Sequence, residues 1–283
     1  MDSSAKYNAL LARLEDLESV LVAYSGGVDS TLLAVAAHAV LGGRCLAVLA
    51  VSDVASAAEI AGARALAATL GFNFLEIETN ELVDPAFREN TADRCYYCKS
   101  ELFDLLKRVA DTHGLSHVAD GSNVDDLDDH RPGRRAALEN GVVSPLQDAG
   151  LTKTDIRELA RTLELPNWDK PSMACLASRV PYGTRITENT LQAIGRAEDT
   201  LAGLGLRQMR VRAHDSVARV EVEPAEMERA WALRAEIADA VRDAGFRFAA
   251  LDLDGYRTGS MNPEAVETPS APSLPPDHGG PTA

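Results

Sequence analysis

Cysteine is scarce in this chain: Cys45, Cys95, Cys98 and Cys175 are four residues in 283, too few and too scattered for a disulfide framework. No window reaches the ~18 uninterrupted apolar residues of a membrane-spanning helix. The opening stretch, MDSSAKYNALLARLEDLESV, is charged and amphipathic and lacks the apolar centre of a signal peptide. A cytoplasmic protein with no membrane partner is expected. Basic residues are in deficit, with 28 Lys and Arg against 43 Asp and Glu and a formal net charge of −15 at pH 7. A surface of that sign repels a phosphate backbone, so no nucleic-acid partner is expected. There is no internal repeat, and no Gly-Lys-Ser/Thr ending of a Walker A loop.

What is present is the balance of an ordinary soluble protein, 46% apolar and 25% charged residues. At roughly 100–200 residues per domain the length allows one large domain or two ordinary ones. Through the first two-thirds, short apolar runs alternate with segments of helical period, the pattern of a parallel sheet flanked by helices. The runs are VLVAY (20–24), CLAVLAV (45–51), FNFLEI (72–77) and SHVAD (116–120), and the helical segments are 29–41, 57–70 and 99–113. An α/β fold over residues 1–183 is expected. Beyond it, a helix over 188–204, a strand pair at 208–213 and 217–222, a helix over 226–244 and a strand over 246–253 suit a small α+β domain, 184–261. Residues 262–283, rich in Pro, Ser, Gly and Thr, read as a disordered tail.

The sharpest local motif is Ser25-Gly26-Gly27-Val28-Asp29-Ser30, between the first strand and the first α/β helix. A strand that feeds small residues into a helix N-terminus aims unpaired N–H groups at one point, where the helix dipole favours an anion. The hexapeptide resembles the pyrophosphate loop of the N-type ATP pyrophosphatases, which include NAD and GMP synthetases and tRNA thiolases. That resemblance implies cleavage of ATP between the α and β phosphates, with Ser25, Gly26, Gly27 and Ser30 on pyrophosphate and Asp29 on Mg²⁺.

Two further segments carry thiols. Arg94-Cys95-Tyr96-Tyr97-Cys98-Lys99 precedes the helix expected at 99–113; its spacing allows a metal knuckle, a redox pair, or a substrate loop with packing cysteines. In the segment 170–183, Cys175 sits among small residues with Lys170 and Arg179 close by. Local sequence leaves it either a buried apolar cysteine or a reactive thiolate.

Taken in order, SGGVDS, RCYYCK, DGSNVDDLDDHRPG, CLASRVPYGTRIT, RVRAHDSVARVE and LDLDGYRTGSMN resemble the LarE family across almost the whole chain before the tail. These are ATP-dependent sacrificial sulfur transferases acting on pyridinium-3,5-biscarboxylic acid mononucleotide, an intermediate of the nickel-pincer nucleotide cofactor of lactate racemase. The resemblance implies that ATP adenylates a pyridinium carboxylate and that a cysteine thiolate attacks the acyl adenylate. The cysteine side of the thioester then breaks, leaving a thiocarboxylate and dehydroalanine. Cys175 matches the sacrificial position.

On the same resemblance, Arg179 helps the thiolate and Ser178 contacts substrate or thioester. Arg210 and Arg212, two apart on one strand face, take the anionic mononucleotide. Glu198 matches an acid assigned to a divalent cation. Asn123, Asp125 and Asp126 follow the fourth strand at its carboxyl end, where open α/β sheets bind ligands. ATP and Mg²⁺ are the expected cofactors, and a homo-oligomer is implied. Some relatives use a three-cysteine iron–sulfur cluster instead; the absence of any cysteine after Cys175 favours the sacrificial branch, while Cys95 and Cys98 with Cys175 leave a set of three for the cluster branch. The rival readings are a tRNA thiolase and an ammonia-dependent synthetase of the same superfamily, and a non-enzymatic nucleotide-binding module.

Overall fold

The computed structural model describes residues 2–127, 132–171, 174–257 and 261. Four parallel strands, β1 (Val20–Tyr24), β2 (Cys45–Val51), β3 (Phe74–Glu78) and β4 (His117–Ala119), form one sheet in the order β3-β2-β1-β4. Val22 is flanked by Ala47 on one side and Ala119 on the other. The helices around it are α1 (Ser3–Asp16), α2 (Val28–Leu41), α3 (Ala57–Leu70), α4 (Pro85–Arg88), α5 (Arg94–Thr112), α6 (Pro132–Glu139), α7 (Pro145–Asp148) and α8 (Lys153–Thr162).

Strand residues point alternately to opposite faces, and here each face has its own core. Val20, Val22, Ala47 and Leu49 pack with residues of α1, α2 and α8, including Leu10, Leu33 and Ile156. Leu21 and Val48 pack the other way, against Phe103 and Leu106 of α5. Burial on both faces is why the central strands β1 and β2 are apolar throughout rather than alternating. The expected α/β architecture is therefore the observed one.

The chain runs from β1 outward to β3, then returns to place β4 on the other side of β1. The order reverses at β1, so the crevice beyond the carboxyl ends of β1 and β4 is the ligand-binding position of such a sheet.

The second region holds α9 (Glu188–Gly203), β5 (Met209–His214), β6 (Val217–Val222), α10 (Met227–Ala232), α11 (Arg234–Asp243) and β7 (Phe248–Leu251). β5 and β6 are antiparallel and β6 and β7 parallel, a small mixed sheet. Its core takes in Leu191, Ile194, Val211, Val220 and Val241, and also Phe87, Leu176, Ala177 and Val180 from earlier in the chain. The segment after Cys175 is thus buried against the second sheet.

Several boundaries differ from the sequence expectation. The helix expected at 99–113 begins at Arg94, because Arg94 is itself buried and anchored, so both CxxC thiols lie inside α5 rather than before it. The third strand starts at Phe74, since the Asn73 side chain donates to the carbonyls of Gly42 and Cys45 and ties the preceding turn. The helix expected over 226–244 is two helices parted at Leu233, and the last strand narrows to Phe248–Leu251. The tail expected at 262–283 lies outside the described residues. Among the described residues no helix is long and apolar enough to cross a membrane.

Candidate active site

The segment 25–30 leaves β1 and enters α2 at the switch point of the sheet. Gly26 adopts φ +70°, and a Cβ there would lie 2.7 Å from the Ala63 Cβ, so both conformation and space require glycine. Ser25 and Ser30 close the loop on itself: the Ser25 N–H donates to Ser30 Oγ at 3.2 Å, and the two hydroxyls are 3.1 Å apart. Thr31 Oγ1 donates to the Gly27 carbonyl at 2.8 Å. Gly27 is the N-cap of α2 and supplies no side-chain acceptor. The first-turn N–H groups of a fourteen-residue helix are therefore left for whatever enters the crevice. Beyond β4, Gly121 passes so close that a Cβ would stand 3.0 Å from the Ser30 N, which presses the two loops together.

Residues far off in sequence complete the loop's surroundings. Lys153, first residue of α8, makes an ion pair with Asp29, and Asn123 Nδ2 donates to the other Asp29 oxygen at 3.3 Å. Asp125 accepts the Lys153 N–H at 2.9 Å, while Asp126 caps the turn by accepting the Asn123 N–H at 3.0 Å. Asn123, Asp125 and Asp126 therefore do lie at the crevice, with much of their hydrogen-bonding used to build it. Asn167 Nδ2 and Lys170 Nζ each donate to the Gly26 carbonyl at 3.2 Å. Asn167 carries no local sequence signal, and for Lys153 the one clue is a lysine in the first turn of a helix.

Lys170 is also the start of the segment that carries the thiol. Cys175 is partly exposed, and the next N–H, of Leu176, donates to the Val54 carbonyl at 2.8 Å. Arg179, fully buried, clasps this bend: its Nη1 donates to the carbonyls of Ala174 (2.6 Å) and Cys175 (3.1 Å) and to Ser178 Oγ (2.9 Å). From the other side Arg94 Nη1 reaches the Ala177 carbonyl at 3.0 Å, and Asn90 Nδ2 donates to the carbonyls of Pro181 and Thr184. The sequence signals neither role, because what Asn90 and Arg94 hold is backbone; Arg94 stands there only as the first residue of the cysteine motif.

Glu198, the acid that the resemblance assigns to a divalent cation, has protein partners in this structure. Its Oε1 and Oε2 accept Arg179 Nε (3.0 Å) and Nη2 (2.9 Å), and Oε1 also accepts the Val211 N–H at 2.9 Å. A buried guanidinium needs a face-to-face carboxylate, and Glu198 is that partner. Burial opposes the charge on Arg179, yet Glu198, and after it Cys175, hold its pKa above the usual value. Arg210 and Arg212 project from one face of β5 as expected, but both are buried. Arg212 pairs with Glu221 and donates to the Ser178 carbonyl at 3.1 Å, and Arg210 lies over the Tyr256 ring. Burial first, then the neighbouring Arg179, lowers the Arg210 pKa.

Cys98 belongs to the same core edge as Cys175. Burial, reinforced by Cys175, pushes the Cys98 thiol up to about 12. Among the described residues, no three His, Cys, Asp or Glu side chains form a set that could hold a metal ion. The phosphate loop is a different kind of fit: uncapped N–H groups and two lysines suit a polyphosphate, and one carboxylate suits the magnesium that accompanies it.

The parallel sheet, its switch point and the strand–SGGVDS–helix junction define a PP-loop ATP pyrophosphatase. The NAD synthase family model matches residues 10–102, which run from the second half of α1 to the first turns of α5. The chain is 43% identical over 249 residues to an uncharacterized protein of Synechocystis, covering 87% of this chain and 93% of that one. It is 38% identical over 260 residues to the pyridinium-3,5-bisthiocarboxylic acid mononucleotide synthase of Lactiplantibacillus plantarum, covering 92% of this chain and 94% of the relative. A more distant likeness, 28% over 241 residues, is to an uncharacterized protein of Methanocaldococcus jannaschii, covering 85% of this chain and 92% of that one. The chain belongs to the LarE family of the PP-loop superfamily.

Proposed function

We propose that this chain is an ATP-dependent sulfur transferase that converts a carboxylate of pyridinium-3,5-biscarboxylic acid mononucleotide into a thiocarboxylate, using the sulfur of its own Cys175, in nickel-pincer nucleotide cofactor biosynthesis. The observation that carries this reading is the placement of Lys170 and of residues 174–179. Lys170 touches the phosphate loop through the Gly26 carbonyl, Cys175 follows five residues later, and Arg179 fixes the backbone at Cys175. Nucleotide loop and thiol are thereby joined by one short stretch of chain.

In this reading the N-terminus of α2 binds the β and γ phosphates. A magnesium ion held by Asp29 would neutralise phosphate charge and make pyrophosphate a better leaving group. The carboxylate oxygen attacks the α phosphorus; pyrophosphate departs. The Cys175 thiolate then attacks the acyl carbon and AMP departs. Loss of the Cys175 Cα proton with rupture of its Cβ–S bond leaves sulfur on the product and dehydroalanine in the chain. Arg179 and Ser178 keep the bend rigid during these steps. Arg210 and Arg212 supply charge for the mononucleotide phosphate, and an anion beside them would offset the burial that, ahead of repulsion from Arg179, lowers the Arg210 pKa.

The test is a stoichiometry. Product should plateau at one thiocarboxylate per chain however much ATP is supplied, with AMP and pyrophosphate as co-products. Intact mass should fall by hydrogen sulfide, with dehydroalanine mapped to position 175. Cys175→Ala should still release pyrophosphate but form no thiocarboxylate. Repeated turnover with Cys175 intact, turnover on ammonia, or release of ADP and inorganic phosphate would each refute the reading.

A further inference from the structure

Lys153 stands where the helix dipole disfavours it. The first turn of a helix presents positive potential and prefers acids; in α8 the Thr152–Asp155 capping box obeys that preference and Lys153 does not. Its ammonium is taken up by Asp29, 124 residues away, and the two side chains are only 28% and 21% exposed. The Lys153 N–H is held by Asp125 and the second Asp29 oxygen by Asn123, so both ends of the ion pair are fixed by independent contacts. The carboxylate best placed for a divalent ion at the phosphate loop thus already carries a protein cation, mounted on a long flexible stem at the mouth of the same crevice.

We infer that Lys153 is an exchangeable counter-ion: it competes with the divalent ion for Asp29 and, once displaced, becomes a ligand of the phosphate chain. The inference rests on the nucleotide reading above and extends it. A compact ammonium with three donors suits phosphate as well as carboxylate. The exchange keeps Asp29 paired throughout, since one cation replaces another, and it brings both positive charges to a polyanion that the −15 chain would otherwise repel. Mg²⁺ and nucleotide would accordingly bind with positive coupling, because the phosphates give Lys153 somewhere to go.

Two affinities that move in opposite directions test this. Mn²⁺ binding to the full chain, read by electron paramagnetic resonance without nucleotide, should become about 3- to 5-fold tighter in Lys153→Met, the scale of a partly exposed ion pair that no longer competes. Binding of α,β-methylene-ATP with Mn²⁺ should become about 10- to 100-fold weaker, the scale of a lost charge-assisted hydrogen bond. Lys153→Arg, which keeps the charge, should stay close to the parent in both. A Lys153→Met chain that loses both affinities, or changes neither, overturns the exchange. If the unaltered chain itself fails to bind α,β-methylene-ATP, the nucleotide reading falls and takes the exchange with it; if it binds normally and only the Mn²⁺ shift is missing, the exchange alone is refuted.

Discussion

Arg179 and Glu198 face each other through two hydrogen bonds of 3.0 and 2.9 Å in a site closed to solvent. The same guanidinium holds the carbonyls on either side of the Ala174–Cys175 bond, and the same carboxylate holds the first residues of β5 through the Val211 N–H. The bend that presents the thiol is thereby braced against the strand that presents Arg210 and Arg212. A buried pair of this kind adds little net stability but is costly to break from one side.

Glu198→Ala should therefore destabilise the fold by about 3–5 kcal/mol, because it strands the Arg179 charge in the interior. Replacing both partners, Arg179→Met with Glu198→Leu, should recover most of that loss. Equilibrium urea unfolding of the three chains checks the pattern; a near-zero effect of the single change would show that the pair does not brace the bend.

Gly26→Ala places a methyl 2.7 Å from the Ala63 Cβ at a φ of +70°. Left-handed backbone and overpacking together predict a loss of about 2–4 kcal/mol. Ala63→Gly removes the 2.7 Å side-chain contact but leaves the Cα at position 63 standing 3.0 Å from the new methyl, and it leaves the backbone strain. A double-mutant cycle on thermal or urea unfolding should then show coupling of at least about 1 kcal/mol between the two sites.

Burial raises the thiols of Cys45 and Cys98 from the ordinary 9.0 to about 12. Between those values the unfolded chain loses the two protons while the folded chain keeps them. Their contribution to stability is thus complete below pH 9.0 and lost as pH climbs toward about 12. Iodoacetamide at pH 8 should leave both unlabelled in the native chain and label both in urea, as read by peptide mass mapping.

Arg210→Met should weaken binding of the pyridinium mononucleotide by about 1.5–3 kcal/mol, the worth of a hydrogen bond to a charged group. ATP affinity should be unchanged, since the phosphate loop lies on the other sheet. Titration calorimetry with each ligand separates the two; equal losses for both would place Arg210 in the fold rather than in the site.

Much of this protein is written locally. VLVAY and CLAVLAV declare strands because burial on both faces demands unbroken apolar runs, and residues 57–70 declare a helix by their period and by the Ser56–Glu59 capping box. SGGVDS declares a phosphate loop because its chemistry is backbone geometry within six residues. Tertiary structure alone decided which charges meet. Asp29 is paired by Lys153 from 124 residues away, Gly26 is reached by Asn167 and Lys170 from more than 140, and Glu198 is paired with Arg179. A turn or a helix is chosen by a residue's immediate neighbours, and these can be read in order along the chain. A buried charge is satisfied by whichever opposite charge folding brings alongside it, and that partner is set by how α8, α9 and the segment after Lys170 pack against the sheets.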